Sequence, residues 1–204
     1  DTILSKMPLT LGQLALGIMD IHTNPDLFGM MKCSRSHGIV PNLTVHGLDV
    51  TPEAVDQIST LCGAVAVSIV NREKSYDAVK LFTAAGMTQV NIHYTLSAES
   101  LDDAFRTVDD IANDPRLAKL NAIVFLQLKE KGKAKGRFHS VPSVDVYRRL
   151  MAHCEALGVG YGFDSCSAPL FFRGVQGHPK QSQFETLAEP CESGLFSSYV
   201  NHAG

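Results

Sequence analysis

Short apolar runs alternate with amphipathic segments along the whole chain. The runs predict six strands, and most of them are nearly continuous in apolar character, which is typical of parallel strands covered on both faces. They lie at residues 13–17, 39–45, 64–70, 89–96, 122–128 and 159–163. Because amphipathic segments separate them, the pattern predicts an α/β fold in which crossover helices join parallel strands.

The segments between the strands carry the start and stop signals of helices. Asn24-Pro25 and Thr51-Pro52 each predict an N-cap followed by proline at the first helical position, and a glycine closes each of these helices, at 38 and at 63. Further helices are predicted over 75–85, 97–113 and 143–157. This repeat of about 25–35 residues fits either a (β/α) barrel or an open doubly wound sheet.

Two stretches break the repeat. Residues 129–137, KEKGKAKGR, directly follow a predicted strand; they are either a solvated basic loop or a contact for an anionic substrate or partner. From residue 168 onward we expect mostly irregular chain, with a short helix over 181–188 and a strand-like run at 196–200. The expected architecture is a partial (β/α) TIM-like barrel over residues 1–167, followed by a short C-terminal auxiliary lobe over 168–204.

Composition narrows the class of protein. The 204 residues allow one core with a small appendage, and a net charge of -3 disfavours general nucleic-acid binding. No apolar run approaches the roughly 20 residues of a membrane-spanning helix, and the first twelve residues lack a signal-peptide layout. Five scattered cysteines fit a reducing compartment, so we expect a soluble, cytoplasmic protein. Since the chain starts at Asp1 rather than Met and stops at Gly204 just after a strand-like run, we also expect a fragment.

Polar residues gather where the predicted strands end, which is where parallel α/β folds place functional groups. Asn91 and His93 lie two residues apart on one strand and therefore share a face. One hypothesis is a divalent-metal-dependent TIM-barrel hydrolase or isomerase, because imidazole and carboxylate suit such metals. Its ligands would be His22, His46, His93 and Asp164. No nucleophile elbow or glycine-rich phosphate loop is present.

Four segments, taken in chain order, carry a family resemblance. The first, at 17–27 (GIMDIHTNPDL), is similar to a Gly-Gly-Glu-Pro stretch and the start of the helix that follows it. The second, at 39–47 (IVPNLTVHG), is similar to a strand that ends in Thr-Asn-Gly. AVAVSI at 64–69 resembles the following strand, and Cys191 to Gly204 resembles the start of an auxiliary-cluster motif. In this order they resemble the radical SAM superfamily, in its branch with a SPASM or twitch-like extension.

The resemblance implies a site for S-adenosylmethionine, with Asp20 at the amino group of the methionine part and Ser68 at the ribose. The implied cofactor-binding residues are Gly17, Asp20, His46, Ser68, Asn91 and His93. Cys191 is the implied first ligand of an auxiliary iron-sulfur cluster, in the lobe over 168–204. Cys166, directly after a predicted strand and Asp164, is a further candidate ligand of that cluster. The family's Cys-x-x-x-Cys-x-x-Cys loop, which holds the main 4Fe-4S cluster, is absent from this chain, as is the end of the C-terminal cluster motif.

We therefore expect the core of a cytoplasmic radical SAM enzyme, inactive as this chain alone. The intact protein would modify an unknown substrate, by analogy a peptide, through a 5′-deoxyadenosyl radical. A further hypothesis is a catalytically inactive barrel that binds a partner. The missing cluster loop and the loss of the glycines at the Gly-Gly-Glu-Pro stretch are typical of an enzyme that has lost its activity. No membrane partner is expected. The cysteines at 33, 62 and 154 are predicted to be core or near-surface residues.

Overall fold

The computed structural model describes residues 2–18, 20–191, 194 and 197–201. Its strands are β1 (Gln13–Gly17), β2 (Val40–Val45), β3 (Val65–Ser68), β4 (Val90–Leu96), β5 (Ala122–Gln127) and β6 (Tyr161–Phe163). Its helices are α1 (Leu27–Ser36), α2 (Pro52–Leu61), α3 (Arg72–Ala84), α4 (Leu101–Asn113), α5 (Val144–Leu157), α6 (Ala168–Gly174) and α7 (Gln181–Leu187). The described residues contain no helix long and apolar enough to cross a membrane.

The six strands follow one another in chain order in a parallel sheet, and helices connect them. The predicted α/β class is confirmed, whereas closure into a barrel stays a prediction. The chain divides into two compact units. The first contains residues 1–93 and 113–122, and the second contains residues 94–112 and 123–204. The expected boundary at residue 167 stays a prediction.

In the first unit, helices cover one face of the sheet. α1 contacts β2, α3 contacts β3, and the side chains between them form the core, including Ile58, Val67 and Phe82, which are fully buried. Each such side chain contributes roughly 1.5–3 kcal/mol by leaving water. β2 and β4 alternate buried with half-exposed or exposed residues, and β1 has no buried residue, so the expectation of strands covered on both faces is wrong for these three. In β3 the first three residues are all buried, as expected. The runs looked continuous because the open face carries small apolar residues such as Ala15 and Ala64.

Side-chain caps start two of the helices in the first unit, and two of the predicted starts are wrong. Thr51 caps α2 as predicted, by accepting a hydrogen bond from the Ala54 N–H. Asn24 instead accepts from the N–H of Asp26, which shapes the turn before α1, and Asp26 takes the cap position. Asn71 starts α3 three residues before the predicted position, because its side chain accepts the N–H of Lys74 at 3.1 Å.

The second unit has an aromatic core around β6. Phe163 stacks on Tyr147 of α5, with ring centroids 4.8 Å apart, and also contacts Phe125 of β5 and Phe171 of α6. Residues 168–174 were predicted to be irregular but form α6, because Asp164 caps the preceding turn and Pro169 occupies the first helical turn. The short helix predicted over 181–188 is confirmed as α7.

The end of the chain lies partly outside the described residues. The predicted strand over 196–200 is not found in its described part, since 198–200 are irregular and Ser197 forms only an isolated bridge. Residues 192–193, 195–196 and 202–204 of the proposed auxiliary-cluster motif lie outside the described residues. Met19 of the stretch similar to Gly-Gly-Glu-Pro lies outside them too.

Candidate functional site

The open face of the first unit brings most of the predicted cofactor-binding residues into two neighbouring rows. Strand register aligns Gly17 with Thr44, Thr44 with Ala66, and Ala66 with Asn91. In the next row towards the carboxyl ends, Ser68 lies beside His93. Side chains in such rows point to the same side of a sheet. The structure therefore places a small, polar surface across four parallel strands. It reaches the carboxyl ends of β1, β2 and β3, whereas Asn91 and His93 lie in the first four residues of β4 and not at its end, where the sequence predicts them.

Three side chains of this surface are available to a ligand. They are the hydroxyls of Thr44 and Ser68 and the ring of His93. In the part of the chain that the structure describes, none of these groups has a hydrogen-bond partner. Burial lowers the pKa of His93 below its ordinary value, so the ring is neutral at pH 7 and offers one donor and one acceptor. Asn91 differs, because its Oδ1 accepts a hydrogen bond from Asn121 Nδ2 at 2.8 Å.

Part of this surface lines an open concavity of about 170 Å³, to which Gly17 and Ser68 do not contribute. Its lining includes Ala15, Asn42, Thr44, Ala66, Asn91 and His93. Small-molecule sites usually measure about 300–1,000 Å³, so the concavity takes part of such a ligand and leaves the rest on the open surface. A larger concavity of about 470 Å³ lies before β4 and β5, around Gly86 and Lys119, but no histidine, cysteine or carboxylate lines it.

The loop after β1 holds Asp20 in a turn. Its Oδ1 accepts the N–H of His22 at 2.8 Å, and this bond lowers the pKa of the carboxyl group. Asp20 is consequently ionised at neutral pH and half-exposed, while His22 is exposed. The carboxylate both shapes its own turn and presents negative charge at the carboxyl end of β1.

A second carboxylate, Asp49, joins the loops after β1 and β2 and was not predicted from the sequence. It accepts the backbone N–H of Ile21, while its Oδ1 is buried without a hydrogen-bond partner among the described residues. That oxygen lies 3.6 Å from His46 Nδ1, which accepts the N–H of Leu48 at 3.1 Å. Because Nδ1 accepts this bond, it carries no proton, and the N–H of the imidazole ring is at Nε2. The only signal in the sequence was an acid three residues after the histidine.

Ser75, near the start of α3, positions two strand ends and was also missed. It is fully buried, and its hydroxyl donates to the carbonyl oxygens of His46 at 3.3 Å and Ser68 at 3.2 Å. The bonds tie the residue after β2 and the last residue of β3 to one helix. Both tethered residues belong to the implied cofactor-binding set.

In the second unit, the predicted metal ligands lie near a lysine. Hydrogen bonding to Cys166 is the main cause of a raised pKa at Lys129, and the charges of Asp164 and Cys191 act in the same direction. Asp164 Oδ1 also accepts the Ser167 hydroxyl at 2.6 Å and the Gln127 N–H at 3.2 Å. Asp164 therefore acts as a structural cap. Cys166 is half-exposed and Cys191 exposed.

The described residues contain no group of three or more histidine, cysteine, aspartate or glutamate side chains that could hold a metal ion. In comparisons with known proteins, no family model and no curated protein matches this chain. The radical SAM resemblance, its cofactors and the ligand roles of Cys166 and Cys191 thus stay predictions.

Proposed function

We propose that this chain is the S-adenosylmethionine-binding part of a radical SAM enzyme, and that the open face of the first unit receives the cofactor. The observation that supports it most is the pair of neighbouring rows, in which Ser68 and His93 lie side by side and Thr44 and Asn91 follow one row below. Ligands of parallel α/β folds bind at the carboxyl ends of the strands. Thr44 and Ser68 lie at or next to such ends, and the strand register places His93 beside Ser68.

The chemistry of these residues fits the cofactor. The Ser68 hydroxyl and the Asn91 amide suit the ribose hydroxyls and the adenine edge, because both groups offer donors on the open face. The ionised Asp20 suits the ammonium of the methionine part. Ser75 then acts through Ser68 and His46, since it holds their carbonyl groups in place.

The described residues do not fit an iron-sulfur cluster by themselves. Such clusters are commonly held by four cysteine thiolates, whereas here Cys166 and Cys191 are the two candidate ligands and form no group of three with other metal-binding side chains. The proposal therefore needs cluster ligands from outside this chain, and we derive no radical step from it. The metal-dependent hydrolase or isomerase has no observation in its favour among the described residues.

The proposal extends to a cytoplasmic location and a peptide substrate. The thiols of all five cysteines are free, which supports a reducing compartment. The peptide substrate rests on analogy with the family that the chain resembles.

Equilibrium dialysis with labelled S-adenosylmethionine tests the proposed site. We expect saturable binding, competition by S-adenosylhomocysteine, and about fivefold to tenfold weaker binding after Ser68→Ala, the range expected for one lost hydrogen bond. Ser59→Ala is the matched control, because its hydroxyl bonds only to the Asp56 carbonyl on α2. No saturable binding by a folded protein, or equal effects of the two variants, would count against the site.

A further inference from the structure

The basic loop, residues 129–137, is anchored at its base by acidic side chains. The Glu99 carboxylate contacts His139 Nδ1 at 2.6 Å and accepts the His139 N–H at 3.1 Å. Glu130, the one acid of the loop, accepts the N–H and the hydroxyl of Ser140 at 2.8 and 2.9 Å. These two carboxylates are therefore engaged in closing the loop.

Within these anchors the loop is folded. A turn of 3₁₀ helix spans Gly132–Ala134, and the Ala134 carbonyl accepts the N–H groups of Arg137 and Phe138. Gly132 and Gly136 have φ values of +57° and +69°, conformations that favour glycine. The cationic side chains are thus held on a compact turn.

The loop concentrates charge of one sign. It contains five of the chain's 18 basic residues and one of its 21 acidic residues, which gives the loop a net charge of +4 and the rest of the chain -7. Four of these cations, Lys131, Lys133, Lys135 and Arg137, are exposed, and no acid in the described ranges pairs with them. Their mutual repulsion would be relieved by an anionic partner.

We propose that the basic loop docks an acidic peptide segment that carries an apolar side chain beside its acids. Phe138, at the loop's end, is 46% exposed and supplies an apolar contact next to the cations. A nucleic acid or an anionic membrane is large enough to meet the rest of the chain as well, whose net charge of -7 repels it, whereas a short peptide needs only the loop itself. Docking here does not depend on S-adenosylmethionine binding.

The probe is a fluorescein-labelled peptide, Glu-Asp-Glu-Leu-Glu-Asp, and the measurement is fluorescence anisotropy with the full chain. We expect binding that weakens strongly between about 50 mM and about 300 mM salt. The triple variant Lys131→Glu, Lys133→Glu, Lys135→Glu should weaken it at least tenfold. The control triple variant Lys32→Glu, Lys80→Glu, Lys119→Glu makes the same change in net charge at exposed lysines of the first unit.

Three outcomes would overturn the proposal. One is the absence of peptide binding at low salt by a protein with native circular dichroism. Another is equal weakening in the two triple variants, which would mean that net charge and not the loop matters. The last is tighter binding of oligo-dT or of phosphatidylserine vesicles than of the peptide, which would point to a nucleic acid or a membrane as the partner. Ser68→Ala should leave peptide binding unchanged, which separates this test from that of the cofactor site.

Discussion

A Cβ atom on Gly47 would lie 2.9 Å from the Cα atom of Ser75. The turn after β2 therefore approaches the backbone of α3 as closely as glycine permits, and Gly47 also has a φ of +80°. This contact fixes where β2 ends relative to α3, and with it the position of His46.

Replacing Gly47 by alanine should cost more stability than the same change at Gly38. Gly38 has a similar φ, +75°, but a Cβ atom there would meet no other atom within 4 Å, so its replacement adds backbone strain alone, about 1–2 kcal/mol. Gly47→Ala adds overpacking against backbone, about 1–3 kcal/mol more. Urea unfolding of both variants measures the difference, and equal losses would show that the turn can move away from α3.

Much of the fold could be predicted from the sequence, because strand positions follow from the apolar runs. All six strands lie within two residues of their predicted bounds, and the left-handed glycines Gly38 and Gly86 follow their helices as expected. The open face of the sheet could not be predicted, since alanine is compatible with both a buried and an exposed strand position. Its exposure depends on where the helices pack.

The candidate site, like the fold, has a part that could be predicted from the sequence and a part that could not. Placing Ser68 and His93 on neighbouring strands requires only the order of the strands, and the register brings the two residues together. Asp49 and Ser75 act through bonds to residues 28 and 29 positions earlier in the chain, Ile21 and His46. Such bonds depend on tertiary packing, and the local sequence does not show which distant residue each side chain will contact.

The anchor of the basic loop should depend on pH. Bonding to Glu99 raises the pKa of His139, and bonding to His139 lowers the pKa of Glu99 to about 2. The protonated His139 stabilises the contact with Glu99. This stabilisation is complete below the ordinary histidine pKa of about 6.5 and is lost as pH rises through the raised value. The ionised Glu99 stabilises the same contact. This stabilisation is present above about pH 4.5 and is lost as pH falls towards 2. The anchor is therefore strongest between about pH 4.5 and 6.5.

Nuclear magnetic resonance titration of the His139 ring checks this pair directly. Glu99→Gln should lower the pKa of His139 towards its ordinary value. Asp102→Asn, which removes a different exposed acid at the start of α4, should leave that pKa unchanged. A His139 pKa that is the same in the wild type and in Glu99→Gln would show that the contact does not form in solution.

Four of the five thiols should fall into two classes by their rate of alkylation. Burial raises the pKa of Cys62 to about 11 and that of Cys154 to about 12, so both should react with iodoacetamide only after unfolding. Cys191 is exposed and Cys166 is half-exposed beside Lys129, so both should react in the native protein. Peptide mass mapping with and without urea measures the rates, and native labelling of Cys62 or Cys154 would contradict their placement in the core.

Removing the Ser75 hydroxyl should weaken both the fold and the proposed cofactor site. Ser75→Ala leaves two carbonyl groups without their shared donor, at a cost of about 1–3 kcal/mol in unfolding free energy. Thr83→Val is the matched control on α3, because the buried Thr83 hydroxyl bonds only to carbonyls of its own helix. Under conditions in which both variants remain folded, only Ser75→Ala should weaken S-adenosylmethionine binding, because only Ser75 contacts the strand ends that carry His46 and Ser68. Unchanged binding in Ser75→Ala would mean that these carbonyl bonds do not position the site.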